Sequence, residues 1–298
     1  MIFLFDHTSI NPLSPTAFTI FGIEIGWYGI FIMTGALIAL IVGLRAAKRL
    51  GIDENLIIDG FLWGLIIGVV GARLWYVFSE WDLYKDDPIT IITGMRSGGL
   101  AIHGAVVFAG TFAVLFCLKK KINLWVIVEF LATGFLIGQI FGRWGNFFNQ
   151  EAHGGLVPGA TLDAQRAWLL NLPLPTFIVN QMYIDTESMV APVIGYYHPT
   201  FFYEFLWNVI GLSIIIILRK VWKKYWIGDA VSFYFMWYSV GRFLIESLRT
   251  DSLWWFNGTI RAAQATSVLL FIGGLVLFII RRKLKIYPVS LIEEWNKK

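Results

Sequence analysis

The 298-residue sequence has one cysteine, Cys117, so no disulfide can close within the chain. It has four histidines and no CxxC or HExxH spacing, which removes the usual zinc and redox motifs, and no metal or other cofactor is expected. Charge is scarce as well: 15% of residues are charged while 57% are hydrophobic, and mean hydropathy is +0.67. A soluble domain of this length could not hide that much apolar surface, because part of any folded chain faces water. The formal charge of +4 gathers in short blocks between apolar runs rather than in one patch, so nucleic acid is not an expected partner. The first residues, MIFLFDHTSINPLSP, lack a basic n-region and a small-residue cleavage site, so they do not read as a cleaved signal peptide.

What the sequence does have is a series of apolar runs long enough to cross a bilayer. They lie near 25–44, 57–78, 101–118, 124–143, 201–218, 229–248 and 262–280. The expected fold is therefore an all-α polytopic integral membrane protein of about seven transmembrane helices, forming one domain over residues 1–298. The stretch 145–199, rich in Pro, Gly, Asn and Asp, reads as a small external head or lid inserted in it. Sixteen of the 24 Lys and Arg residues follow the first, third, fifth and seventh runs, all on alternate sides of consecutive spans. The positive-inside rule makes those ends cytoplasmic, with the C-terminus inside. The N-terminus, 145–199 and 249–261 then lie outside.

Of the eight remaining basic residues seven are arginine, and Arg73, Arg143, Arg242, Arg249 and Arg261 fall at or near the outer ends of spans. Lysine would serve equally for snorkelling, whereas the guanidinium fork matches carboxylate and phosphate oxygens. Several at one depth suggest an anion site facing the outer leaflet. In the sixth span Tyr238, Arg242, Glu246 and Arg249 recur at i, i+4, i+8 and i+11, one helical face, which must look into the bundle because lipid exposure of a charge costs about 2.5–3.5 kcal/mol. That face reads equally as a structural ion pair or as part of a site.

His103, in GGLAIHGAV, stands at the start of the third span among glycines that would let a chain or ligand approach closely, and its imidazole could take a proton near neutral pH. A lone histidine there is more often structural. Glu204, one turn into the fifth span in HPTFFYE, needs a partner, and an arginine would serve. Tyr28 follows Trp27 at the outer end of the first span; Asp59 and Glu129, nearer the cytoplasmic ends, read as structural. The segment GRWGNFFNQE, 142–151, crowds Arg143, Asn146, Asn149 and Glu151 where its helix gives out, more polarity than a cap requires.

On that segment the sequence resembles the prolipoprotein diacylglyceryl transferase family of bacteria. The family pattern G-R-x-[G/A]-N-F-x-N-x-E-x-x-G is matched without a gap by Gly142, Arg143, Gly145, Asn146, Phe147, Asn149, Glu151 and Gly154. The similarity extends to WYG at 27–29, GARLWYV at 71–77, GGLAIHG, HPTFFYE and GRFLIESLRTD at 241–251. It departs at Phe201 and Phe202, where the family usually has a polar residue. The resemblance implies seven spans, an outward-facing head, and transfer of the diacylglyceryl group of phosphatidylglycerol to the lipobox cysteine of a prolipoprotein. The partners it implies are that membrane lipid and the signal peptide of the prolipoprotein. It makes Arg143 and Arg242 the essential arginines and His103 a catalytic residue. Tyr28, Asn146, Gly154, Tyr238 and Glu246 match other functional positions. From the residues alone, an anion transporter or a receptor would also carry interior arginines or an external region, but the arginines gather near one face only.

Overall fold

The computed structural model describes residues 6–94, 98–185, 191, 193–250, 252–255 and 258–296. Asp251 of the GRFLIESLRTD stretch and the terminal Lys297 and Lys298 lie outside the described residues. A hairpin, β1 (Thr16–Ile20) and β2 (Ile23–Gly26), leads directly into α1 (Trp27–Leu50). Then come α2 (Glu54–Ser79), the one-turn α3 (Thr90–Thr93), α4 (Ile102–Lys120) and α5 (Leu124–Phe148). The head follows, with α6 (Leu162–Leu170), α7 (Thr176–Gln181) and the short pair β3 (Tyr183–Ile184) and β4 (Gly195–Tyr196). The chain returns through α8 (Thr200–Val221), α9 (Asp229–Glu246), the pair β5 (Trp254–Trp255) and β6 (Ile260–Arg261), α10 (Ala262–Leu284) and α11 (Leu291–Asn296).

Local chemistry explains the boundaries. Gly51 ends α1 in the left-handed conformation (φ 72°), and the Ile52 amide donates back to the Ala47 carbonyl at 3.0 Å. Asp53 and Asn123 cap α2 and α5, each side chain accepting from the amide two residues on at 2.9 Å. Among the described residues six helices, α1, α2, α4, α5, α8 and α10, are long and apolar enough to cross a membrane. The expected seventh, α9, carries Asp229, Arg242 and Glu246 within its 18 residues, which lowers its hydropathy. It can do so because it packs against α5, α8 and α10 rather than standing in lipid. Observed helices agree with the predicted spans to within a few residues, except that α1 runs on to Leu50 and α5 runs through Phe148, so residues 145–148 at the start of the predicted head are still helical.

Helix α5 is the hub, touching α1, α8 and α9. Helices α2 and α4 form a pair beside α1, in close contact where Gly104 sits on Gly71 and the Trp75 side chain. Small residues allow this approach, since inside a bilayer packing rather than the hydrophobic effect holds helices together. Trp207 of α8 and Trp237 of α9 stack at 4.3 Å, and each indole N–H donates to the other's backbone carbonyl, at 2.9 and 3.0 Å. The head shares one apolar cluster with the bundle: Leu169, Ile178, Val179 and Tyr196 pack with Phe147 of α5 and Phe201 of α8. The phenylalanines that depart from the family pattern thus fill a core, Phe201 stacking on Phe147 at 4.7 Å.

At the opposite end of the bundle, buried Glu129 accepts from Arg219 Nε (2.8 Å), the Tyr225 hydroxyl (2.6 Å) and the amides of Gly228 (2.8 Å) and Ala230 (3.1 Å). Asp229 pairs with Arg281 at 2.9 Å and with Arg282. Glu129 is structural, as expected. Two arginines of the basic blocks that follow the fifth and seventh runs turn inward instead of facing solvent. Arg281 is fully buried and Arg219 nearly so, because each neutralises a carboxylate: Glu129 ties α5 to α8 and the start of α9, and Asp229 ties α9 to α10.

Candidate active site

At the hairpin and head end, three helices each bring one charged turn to a common point. Arg143 comes from the last turns of α5, Glu204 from the first turns of α8, and Arg242 and Glu246 from the last turns of α9. The Glu204 carboxylate, 7% exposed, pairs through Oε2 with Arg143 Nε, and its Oε1 lies 3.2 Å from Arg242 Nη1 and 3.6 Å from Arg249 Nη1. Arg242 also reaches Glu246 Oε2 at 2.7 Å, an i, i+4 pair, and Glu246 is almost wholly buried. Arg261 donates to the Glu246 backbone carbonyl and covers the Trp254 ring at 5.1 Å.

Four guanidinium groups therefore surround two buried carboxylates. Like charges held this close in a poorly hydrated site repel unless an anion joins them. Among the described residues the four guanidinium groups outnumber the two carboxylates. Arg143 and Arg242 each stay about one fifth exposed, so part of each fork faces outward.

The signature segment builds one wall. Arg143 Nη1 donates to Asn146 Oδ1 at 3.3 Å, and Asn146 Nδ2 donates to Glu151 Oε1 at 2.9 Å. Asn149 Nδ2 donates to the same oxygen at 3.2 Å. The four polar side chains form a relay that orients the Arg143 guanidinium, which explains their number where one cap would do. Tyr28 lies across Gly145: a Cβ there would stand 2.5 Å from the Tyr28 ring, so only glycine admits this contact.

Gly154 stands in a tight backbone crossing. Its amide donates to the His198 carbonyl at 2.8 Å, it bridges to Arg249, and the Gly155 amide donates to the Leu248 carbonyl at 2.7 Å. A Cβ on Gly154 would meet His198 Cβ at 2.7 Å, the Leu248 oxygen at 2.8 Å and Thr200 Cγ2 at 3.0 Å. The imidazole of His198 lies edge-on to Trp168, its Nδ1 3.4 Å from the Tyr203 hydroxyl, and burial pushes its pKa below the ordinary value. Its role is to order the crossing. Tyr238, one turn before Arg242, stacks on Tyr234 at 5.8 Å, and the Tyr234 hydroxyl accepts from Gln139 at 3.0 Å.

The arrangement thus unites Arg143, Asn146, Arg242 and Glu246, with Tyr28 packed on Gly145, Gly154 in the crossing beside Arg249, and Tyr238 one turn before Arg242 against Tyr234. Two sequence expectations separate from it. His103 is exposed at the start of α4, on the flank formed by α2 and α4, and makes no hydrogen bond or ion pair with the arginine cluster. The glycines around it serve protein packing: Gly99 (φ 76°) fits against Arg73, and Gly104 against α2. Arg73 also leaves the group of arginines. It donates to the carbonyls of Thr90 (3.1 Å), Ile91 (2.8 Å), Gly98 (3.2 Å) and Gly99 (2.9 Å), stapling the segment before α4. Glu204 and Glu151 were missing from the expected site. The signal for Glu204 was a carboxylate inside an apolar helix; that it gathers three arginines depends on how α5, α8 and α9 meet.

A model of the prolipoprotein diacylglyceryl transferase family matches residues 15–280. The phosphatidylglycerol–prolipoprotein diacylglyceryl transferase of Listeria monocytogenes is similar to this chain, 41% identical over 96% of it and 95% of the relative. That of Lysinibacillus sphaericus is 42% identical over 93% of this chain and 94% of the relative. In Staphylococcus saprophyticus the corresponding enzyme is 39% identical over 92% and 91%.

Proposed function

As the chain belongs to the prolipoprotein diacylglyceryl transferase family, we propose that its arginine cluster holds the phosphate of phosphatidylglycerol while the diacylglyceryl group passes to a prolipoprotein. The chain is a multi-pass membrane transferase of the first step of lipoprotein maturation. The acceptor is the lipobox cysteine in the signal peptide of the prolipoprotein. Its thiol loses a proton, the sulfur attacks the glycerol carbon, the carbon–oxygen bond to phosphate breaks, and a thioether and glycerol-1-phosphate result.

The observation that carries this reading is the shared carboxylate of Glu204 between Arg143, Arg242 and Arg249. It holds three forks ready for an anion whose charge grows as the carbon–oxygen bond breaks, and fixed donors in a site poor in water favour that charge most. Asn146 and Glu151 orient Arg143, while Glu246 orients Arg242. Tyr28, Gly154 and Tyr238 shape the substrate-binding walls. The nucleophile belongs to the substrate, so the enzyme needs no cysteine of its own, and Cys117 lies buried in the last turn of α4. A free thiol has a pKa of about 8.5, so a base assists. The family resemblance assigns that role to His103, which is exposed at the start of α4 and stands on the α2–α4 flank rather than among the arginines.

The site faces the outer leaflet, with the N-terminus and the head outside and the C-terminus in the cytoplasm. The blocks of Lys and Arg after α1, α4, α8 and α10 support this orientation. The head, about residues 145–199, forms the external side of one membrane-embedded domain.

Lipidation of a lipobox peptide in phosphatidylglycerol vesicles tests the assignment. Arg143→Ala and Arg242→Ala should each lower kcat by roughly 10²–10³, the usual cost of one lost oxyanion donor. Lysine at either position should restore little of it, because the fork is lost. Full activity in either alanine variant would remove the phosphate role. Activity retained in His103→Gln would remove only the base.

A further inference from the structure

The β1–β2 hairpin has a feature that the transfer reaction does not use. Its register pairs Phe18 with Ile25, Ile20 with Ile23 and Thr19 with Glu24. Paired residues in an antiparallel ladder share a face, so Phe18, Ile20, Ile23 and Ile25 form one apolar side, and Thr19 and Glu24 lie on the other. Thr16 donates to Glu24 at 3.1 Å, which completes the polar side. The turn is Phe21–Gly22, both residues at positive φ, with the Phe21 side chain fully exposed. Phe18, Ile20 and Ile23 are each close to half exposed, and the described chain does not cover them.

A lone two-stranded hairpin is marginal in water, and one with an uncovered apolar face and a phenylalanine at its tip is less stable still. We propose that this face lies in the lipid interface, with Phe21 inserted among the acyl-chain ends nearest the headgroups. Position argues for lipid over a protein partner. The hairpin runs without a linker into α1, its base held by the Trp27 amide donating to the Pro15 carbonyl at 2.9 Å. Trp27 and Tyr28, the aromatic pair expected at a membrane boundary, follow it directly. The apolar face is too small for a stable protein contact: its side chains present on the order of 450 Å², against about 800 Å² per partner for a standard interface.

Insertion here rests on apolar burial. The only charge on the two strands is Glu24, on the polar side, so no attraction to anionic lipid contributes. The hairpin also precedes Tyr28, which lies against the signature segment. A fixed depth for the hairpin sets the depth at which that end of the arginine site meets lipid.

A depth measurement decides this. With Cys117→Ala as background, Phe21→Cys and Glu24→Cys are each labelled with an environment-sensitive fluorophore in lipid nanodiscs. At Phe21→Cys, emission should shift to the blue, and quenching by lipids spin-labelled near the headgroup should exceed iodide quenching several-fold. Glu24→Cys should show the reverse. The Phe21→Cys signal should be the same in zwitterionic and phosphatidylglycerol discs and at high salt. Equal iodide quenching at both positions would overturn the proposal. So would disulfide-linked dimers through Phe21→Cys, which would mean a second copy covers the face, or a signal that requires anionic lipid.

Discussion

Replacing Gly154 with alanine adds one methyl group and should cripple the enzyme. The new Cβ would lie 2.7 Å from His198 Cβ, 2.8 Å from the Leu248 oxygen and 3.0 Å from Thr200 Cγ2. Carbon atoms rest comfortably at about 3.5 Å, so these walls must part by roughly 0.5–0.8 Å. None can swing aside as a flexible side-chain end would. Overpacking of this kind costs about 1–3 kcal/mol. The displaced backbone is also what aims the site, since Leu248 precedes Arg249 and His198 leads into α8, which carries Glu204. A misplacement of about 1 Å can cost about 10²-fold in rate, so a loss of between about 10- and 100-fold in kcat is expected. The internal control is the next residue. A Cβ on Gly155 would find its nearest neighbour, the Leu248 oxygen, at 3.9 Å, an ordinary contact. Gly155→Ala should therefore keep its thermal midpoint and its rate. Lipidation kinetics and thermal unfolding of both variants in the same detergent provide the comparison. Equal behaviour of the two, in either direction, would refute the steric argument.

Glu129→Gln should lower stability by about 3–5 kcal/mol, because Arg219 is left buried without its counter-charge while the new amide faces donors. The KM for phosphatidylglycerol should not change, since the residue sits at the far end of the bundle, and a wild-type thermal midpoint would contradict the prediction. Burial depresses the His198 pKa below its ordinary 6.5. A depressed folded value means that the unfolded chain takes up the proton first. The stability contribution is then complete above pH 6.5 and is lost as pH falls through the folded value. His198→Asn should flatten the stability profile in the window from pH 6.5 down to that folded value, and an unchanged slope there would exclude His198 as the source.

The membrane class, the span positions and the signature were legible in the sequence, because each depends on local composition. An apolar run of bilayer length has few alternatives, so α1, α2, α4, α5, α8 and α10 begin within a few residues of the runs that predict them. The i, i+4 spacing of Arg242 and Glu246 was readable for the same reason, since one helix fixes that distance. Arg143, Asn146 and Glu151 could be picked out together because they lie within one helix end and the loop after it.

Which arginines act together was decided only by the tertiary structure. Arg73 and Arg143 look alike in sequence, each near the end of an apolar run. One spends its guanidinium on four backbone carbonyls, and the other meets Glu204 across the α5–α8 contact. Nothing local distinguishes them, because a guanidinium's partner is set by which helix ends converge. The same holds for Glu204, a lone carboxylate in sequence and the meeting point of three arginines in the fold, and for Arg219 and Arg281, which count as topology signals until their buried carboxylates are seen. Sequence determined which groups this protein carries and in which apolar run each one stands. Packing of α5, α8 and α9 decided which of those groups share a charge, because electrostatic partnership depends on distances of a few ångströms between segments far apart in the chain.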